Sequence, residues 1–364
     1  MKITDIDIIT IQVNRRETWV FVHVDTDVGL RGLGELNPSA PRAECLAAVR
    51  QFAEIFIGQD PRRIAYLTAS CGPTLLDRNG IHALSALEQA LWDILGKSLN
   101  VPIHALLGGR CRDQIHLYAN ITRATSELTP EAFVRRAQGA VADGFDAVKI
   151  APFSGGPGPI DDFAVAADGI ECARAVRRAI GPDIDLLLDC YGLFTIDVAL
   201  KIAAALDDIN LFWLEEPVAA DDYAAYLRLK AQTGLRLAGG ERFMLRQGFW
   251  NLMAHNAVDV IMPDVGIVGG IAELDKVASM AEGRGMVTAP HGPFGPVTVA
   301  AGAQVMAAHT GFLILEYAWG LNDWRPALTI PSEVVTNGSL LLSDRPGLGL
   351  ELNPDTVEQY RVAE

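Results

Sequence analysis

Six short apolar runs, each closing on an ionisable residue, decide how this chain folds: DLLLD (185–189), LFWLE (211–215), RLAGGE (236–241), DVIMPD (259–264), MVTAPH (286–291) and FLILE (312–316). Their last residues, Asp189, Glu215, Glu241, Asp264, His291 and Glu316, follow one another at intervals of 26, 26, 23, 27 and 25 residues. A strand, a loop, a helix and a return loop take about that many residues when ~250 residues build eight such units. The reading is an α/β chain with a parallel barrel that delivers one polar group per consecutive strand end. In such a barrel all those ends open at one mouth, so the six side chains are expected to converge there.

The pattern extends outward from this stretch. IHLYANI (115–121) reads as the first barrel strand, Glu131–Asp143 as its helix, and DAVKIAP (146–152) as the second strand. The long Gly/Pro-rich loop FSGGPGPIDDF (153–163) follows, and then a helix over Ile170–Ile180. A loop of that length at the mouth end is commonly functional, so this one is expected to help choose the substrate. Residues 1–113 read as a separate α+β capping domain. Ile3–Val13 and Thr18–Asp25 alternate as antiparallel strands, and Arg42–Ile57 and Ser85–Lys97 carry helical apolar spacing. Residues 114–324 form the barrel, and 325–364 are turns and strands expected to return to the cap.

With 364 residues, half of them hydrophobic, the chain can bury a large core. A net charge of −15 argues against nucleic acid and against an anionic membrane surface as partners. An anionic substrate stays admissible, because a metal at the mouth inverts the local field. The cysteines Cys45, Cys71, Cys111, Cys172 and Cys190 are scattered and lack CxxC spacing, which fits reduced thiols and a cytoplasmic location. MKITDIDIITIQV opens as a strand rather than a secretory signal, and no apolar run reaches the ~18 residues of a membrane span.

ALWDILGK (90–97), LLGG (106–109), LLLDCYG (186–192), WLEEP (213–217), GGER (239–242), MPDVGIVGG (262–270) and APHGP (289–293) occur in that order. Together they resemble the enolase superfamily in its mandelate racemase-like branch, across essentially the whole chain. The resemblance implies a modified TIM barrel, (β/α)7β, under an α+β capping domain formed from both termini. It further implies that cap segments near 14–20 and 36–43 touch the substrate, and that the protein is a homo-oligomer. The implied chemistry uses one Mg²⁺ per subunit, or Mn²⁺ in its place, to stabilise an ene-diolate. The class it indicates is an acid-sugar dehydratase, with a racemase, an epimerase, a cycloisomerase or a silent ligand-binding relative as alternatives.

The residues carry their own argument. Asp189, Glu215 and Glu241 are three hard oxygen donors on adjacent strands, a set suited to Mg²⁺. Strand alternation lets only one acid of WLEEP face inward; the 26-residue step selects Glu215 and leaves Glu216 behind it. Asp264 and His291 read as a base dyad, the carboxylate fixing the tautomer of the imidazole that takes the proton. By resemblance, Glu316 supports the developing enolate oxygen, either protonated or strongly hydrogen-bonded. Lys149 ends AVK where many relatives carry Lys-x-Lys. Here the second lysine is Ala151, so Lys149 is expected to neutralise a substrate carboxylate rather than to act as a second base. Tyr191, two residues past Asp189, is a candidate proton donor on the same strand face. Arg242 and Arg16 are candidates for binding the substrate. A metal-dependent amidohydrolase is disfavoured, because His-x-His is absent from HLYANI.

Overall fold

Gly32 and Gly34 decide how the cap closes. In a computed structural model that describes residues 1–15, 17–154 and 158–362, they lie on β3 (Arg31–Leu36) against helix α2 (Arg78–Leu99). A Cβ on Gly32 would stand 2.1 Å from the Ala90 carbonyl oxygen, and one on Gly34 1.8 Å from that of Ala86. Only glycine lets strand and helix backbones approach this closely. β3 pairs antiparallel with β2 (Thr18–Thr26), which pairs with β1 (Ile3–Gln12). Helix α1 (Arg42–Phe56) packs on α2. Helix α2 starts seven residues before the expected Ser85, because Asp77 caps it by accepting the Gly80 N–H at 2.8 Å. It ends at Asn100, whose φ of 56° is left-handed.

Beyond the cap the chain alternates strand and helix. The strands are β4 (Gln114–Asn120), β5 (Ala147–Ile150), β6 (Asp185–Asp189), β7 (Leu211–Glu215), β8 (Leu237–Gly239), β9 (Val260–Ile261), β10 (Val287–Thr288) and β11 (Leu315–Ala318). Helices α3 (Pro130–Ala142), α4 (Ala167–Ile180), α5 (Ile196–Ala205), α6 (Tyr223–Thr233), α7 (Leu245–Ala254), α8 (Ile271–Gly283) and α9 (Pro296–Ala307) separate them. Strands β4 to β10 lie side by side, parallel and in chain order, and β11 pairs in parallel with β4. On the other side, Leu313 N donates to the Thr288 carbonyl at 2.8 Å. The fold is α/β and TIM-barrel-like with an N-terminal cap.

Tyr118, Ala147, Leu187, Trp213, Ala238, Val260, Met262, Ala289 and Ile314 form one buried cluster, drawn from every strand or its immediate continuation. Side chains repeat their facing every second residue along a strand. Two residues further toward the C-terminal ends stand Asn120, Lys149, Asp189, Glu215, Asp264, His291 and Glu316. An apolar floor and a polar layer above it thus follow from one periodicity. Glu241 is the exception. It comes three residues after Ala238, across a Gly239-Gly240 turn in which Gly240 has φ +121°.

The C-terminal segment touches both parts. Ser339–Leu341 adds antiparallel to β4, Leu348 N donates to Asp93 Oδ1 at 2.8 Å, and Ile11 bridges Arg361. Two buried acids on the cap reach the barrel. Glu35, in β3, accepts the N–H groups of Gly295, Val297 and Thr298 at 2.7, 3.1 and 3.0 Å, at the start of α9. Glu88, in α2, accepts those of Ile271 and Ala272 at 2.6 and 3.0 Å, at the start of α8. Helix N-termini carry unpaired N–H groups and partial positive charge, so each acid is well matched to its place.

Burial pushes the Glu35 carboxyl up to about 7, with the three N–H bonds offsetting only part of the effect. With its folded pKa above the unfolded 4.5, the native state holds the proton longer. This contribution to stability is present below about pH 4.5 and is lost as pH rises through about 7. Its size is on the order of 3 kcal/mol. Denaturant titrations from pH 5 to 8 are expected to show Glu35→Gln with a flatter stability profile than the parent protein. Parallel profiles would count against this placement of charge.

Candidate active site

Three carboxylates meet at the ends of neighbouring strands. Asp189 and Glu215 are register partners on β6 and β7, and Glu241 follows β8. One oxygen from each of Asp189, Glu215 and Glu241 lies within 4.8 Å of the others, and all three side chains are buried. Burial and mutual repulsion raise the Asp189 carboxyl well above its usual range, and burial pushes Glu215 up to about 7. Among the described residues Glu241 Oε2 has no hydrogen bond, and His291 Nε2 lies 3.3 Å from it. A crowded oxygen set with one buried oxygen left bare is what a divalent cation would relieve, so the residues fit a metal ion. Glu216 is held apart from this set. Its Oε2 takes the Arg242 Nε at 2.6 Å, and Arg242 Nη2 donates to the Tyr191 carbonyl at 3.0 Å.

Asp264 and His291 follow β9 and β10 and form a parallel bridge of their own. His291 Nδ1 lies 2.6 Å from Asp264 Oδ2, and Asp264 Oδ1 accepts the Gly266 N–H at 2.7 Å. The second ring nitrogen, Nε2, points toward the triad, 3.3 Å from Glu241 Oε2 and 3.7 Å from Glu316 Oε2. Burial alone works against charging the ring, but Glu241, Glu316 and Asp264 outweigh it and push its pKa up to about 10. A neutral, proton-accepting His291 therefore depends on the charge of Glu241 being taken up elsewhere.

Glu316 stands inside β11, one residue past its start, with the strand running on to Ala318. It receives Asn120 Nδ2 at 2.8 Å, Gly292 N at 3.0 Å and Lys149 Nζ at 2.7 Å. Burial favours its neutral form, yet Lys149 and His291 hold it at about 2. Of the two states allowed for it above, these donors favour the charged, strongly hydrogen-bonded one. Lys149, 1% exposed, is clamped between Glu316 and Glu215 Oε1, the latter 2.8 Å away. Its charge is shared by two protein acids, and it stands among the residues that line the cavity.

Tyr191 departs from its expected place. β6 ends at Asp189, and Tyr191 sits in a left-handed turn with φ 52°, so strand alternation does not carry to it. Its ring still borders the cavity and is 37% exposed. Burial and Asp189 raise its phenol well above the ordinary value, making it a poorer proton donor than a free tyrosine. Arg242 lines the cavity but is ion-paired to Glu216. Arg16 lies outside the described residues.

The cavity has a volume of about 250 Å³. Asn37, His82, Arg123, Asp189, Glu241 and His291 are among its walls. Asn37 and Ser39 come from the cap segment expected to lie over the mouth, and Glu17 of the other segment holds Arg123 at 2.8 Å. None of the described residues of 153–163 lines it, against the expectation for that loop; Ile160 instead bridges Phe194. Asn37 was anticipated only as part of the 36–43 segment, and the residues sequence reasoning missed include Asn120, His82 and Arg123. Asn120 was findable, since it ends YAN on β4 in register with Lys149. His82, on a cap helix far away in sequence, left no signal.

Residues 6–108 match the mandelate racemase / muconate lactonizing enzyme N-terminal domain, and residues 132–356 the enolase C-terminal domain-like family. The chain belongs to the enolase superfamily, in its mandelate racemase / muconate lactonizing enzyme branch. Among its relatives is a D-galactarolactone cycloisomerase from Agrobacterium fabrum, 35% identical over 96% of this chain and 93% of that protein. A D-galactonate dehydratase from Variovorax paradoxus is 32% identical over 93% and 90%. The crystal structure of a mandelate racemase/muconate lactonizing enzyme from Jannaschia superposes with a TM-score of 0.90 at 29% identity, covering 100% of this chain and 98% of that one.

Proposed function

We propose that this protein is a hydro-lyase that removes the proton next to the carboxylate of an acid sugar and expels the β-hydroxyl, giving a 2-keto-3-deoxy acid. The observation that carries the reading is His291 Nε2 facing the Asp189–Glu215–Glu241 triad while Nδ1 is held by Asp264. The named dehydratase among its relatives supports the same reading. The triad would hold Mg²⁺, which withdraws electron density from the substrate carboxylate and so makes the neighbouring C–H more acidic. Nε2 takes that proton, and Asp264 steadies the imidazolium that results. The C–H electron pair becomes a C=C bond as the β-hydroxyl departs, receiving a proton from the same imidazolium and leaving as water. The enol product then tautomerises to the ketone. Glu316, fixed by Lys149 and Asn120, lies behind these two cavity residues and 3.7 Å from His291 Nε2, where its charge would help set how the substrate carboxylate lies. Tyr191 and Arg242 border the opening, where they would meet substrate hydroxyls.

With this goes a closed (β/α)7β barrel over 114–324, capped by 1–113 and 325–364; the β4–β11 pairing supports it. We also infer a cytoplasmic homo-oligomer. Five free cysteines and the exposed Ile330, Val334 and Leu341 on the C-terminal segment support it. Among the described residues no helix is long and apolar enough to cross a membrane.

The test is a panel of sugar acids with Mg²⁺, assayed for 2-keto acids. Turnover is expected to vanish after chelation and return with Mg²⁺; turnover undiminished after complete metal removal would refute the triad's role. The relative named as a cycloisomerase favours a second reading, isomerisation of a sugar-acid lactone. A product of unchanged mass, rather than one lighter by a water, would select it.

A further inference from the structure

Two cap side chains reach the cavity with atoms that no described protein group satisfies. Asn37, 1% exposed, follows β3. Its Oδ1 accepts the Ser39 N–H at 2.7 Å, and among the described residues Nδ2 is a buried donor without an acceptor. His82, 4% exposed, stands on α2 with Nδ1 3.2 Å from the Gly266 carbonyl. A carbonyl only accepts, so Nδ1 carries the proton and Nε2 of the neutral ring is a lone-pair acceptor. Among the described residues Nε2 has no protein partner, and both side chains line the cavity. Burial, aided by Arg78, lowers the pKa of the ring against the pull of the Gly266 carbonyl and Asp264, which keeps it neutral. The two side chains flank the same residue, Gly266. His82 bonds Gly266, and a Cβ on Gly266 would stand 3.5 Å from Asn37 Cβ.

We propose that Asn37 and His82 form a subsite on the cap side of the cavity that reads one substrate hydroxyl, Asn37 Nδ2 donating to its oxygen and His82 Nε2 accepting its proton. A hydroxyl is the group that both accepts and donates from one atom. A carboxylate in its place would meet the lone pair of Nε2, and an ammonium would meet the Nδ2 hydrogens. The subsite therefore selects an acid with a hydroxyl at this point over a dicarboxylate. This inference rests on the proposed function only in taking a small polyhydroxy acid as the ligand. A site built to bond a hydroxyl discriminates strongly against the analogue that lacks it, because its own buried groups are then left unpaired.

The test is binding rather than turnover. Calorimetry with Mg²⁺ present, on protein carrying His291→Asn so that ligand is not consumed, compares D-galactonate and D-gluconate with their 4-, 5- and 6-deoxy analogues. At least one deoxy analogue is expected to bind roughly 10- to 100-fold more weakly than its parent acid. Adding Asn37→Asp, which keeps the Ser39 contact but turns the donor into an acceptor, is expected to erase that difference, as is His82→Phe. If the larger ring prevents folding, His82→Asn replaces it. A preference that survives in the folded variants overturns the assignment, and so does equal binding of all deoxy analogues to the starting protein. Turnover of the same acids by the unaltered protein reports separately on the reaction: its absence alongside the expected binding pattern would sink the proposed function alone.

Discussion

Replacing His291 by asparagine is expected to lower kcat on any accepted acid sugar by a factor on the order of 10² to 10⁴, the usual contribution of a positioned general base. Asparagine keeps a donor for Asp264 Oδ2, now 2.6 Å from Nδ1, so the loop should hold its shape while the proton acceptor is gone. KM should move far less than kcat, because the side chain acts on the reacting hydrogen rather than on the resting substrate. Exchange of the α-hydrogen with deuterated water should fall in parallel. Full activity, or exchange that continues at the parent rate, would move the base elsewhere. Asp264→Asn should give a smaller loss of the same kind, since the imidazole remains but its tautomer is no longer enforced.

The second large effect concerns stability. Lys149→Met removes the one ammonium lying between Glu215 and Glu316, 2.8 and 2.7 Å from their oxygens. Breaking a buried pair from one side costs roughly 3–5 kcal/mol, because the abandoned charge has no water to replace its partner. Here two acids are abandoned together. Differential scanning calorimetry should show a drop in Tm of several degrees or more, against almost none for the same change at the exposed Lys201. Equal, small shifts for both would mean that water already reaches this layer. Activity should fall too, since Glu215 belongs to the acidic triad and Glu316 Oε2 lies 3.7 Å from His291 Nε2.

Much of the site was legible because strand periodicity and barrel spacing are local properties of the sequence. The runs ending at Asp189 and Glu215 are strands whose last residue is the predicted one. Asp264 and His291 lie three residues beyond β9 and β10 yet keep the alternation of the floor beneath them. The partners of Lys149 and the placement of Tyr191 were not legible, for different reasons. Lys149 is paired with Glu215 and Glu316, 66 and 167 residues away in sequence, a pairing that only the assembled sheet creates. Tyr191 was assigned by extending β6 past its end, where the chain turns left-handed. His82 was invisible for a third reason, whereas Asn37 was legible only as one residue of the 36–43 segment. His82 belongs to a cap helix, and nothing in a helix pattern says which distant cavity its polar face will meet.

The cap also does something that its position over the mouth does not suggest. Glu35, Ser85 and Glu88 receive six backbone N–H groups from the barrel: those of Gly295, Val297 and Thr298, of Gly269, and of Ile271 and Ala272. All six lie at or just before the starts of the helices that follow Asp264 and His291, whereas the acidic triad sits at the ends of β6 to β8. A chimera that kept this barrel but borrowed a lid from a cousin would keep its cation grip and lose its proton-handling flank, unless the three acceptors travelled with the graft. The lid and barrel of this chain are thus matched halves, and a change of substrate taste would be made by editing the lid around those fixed points rather than by exchanging it whole.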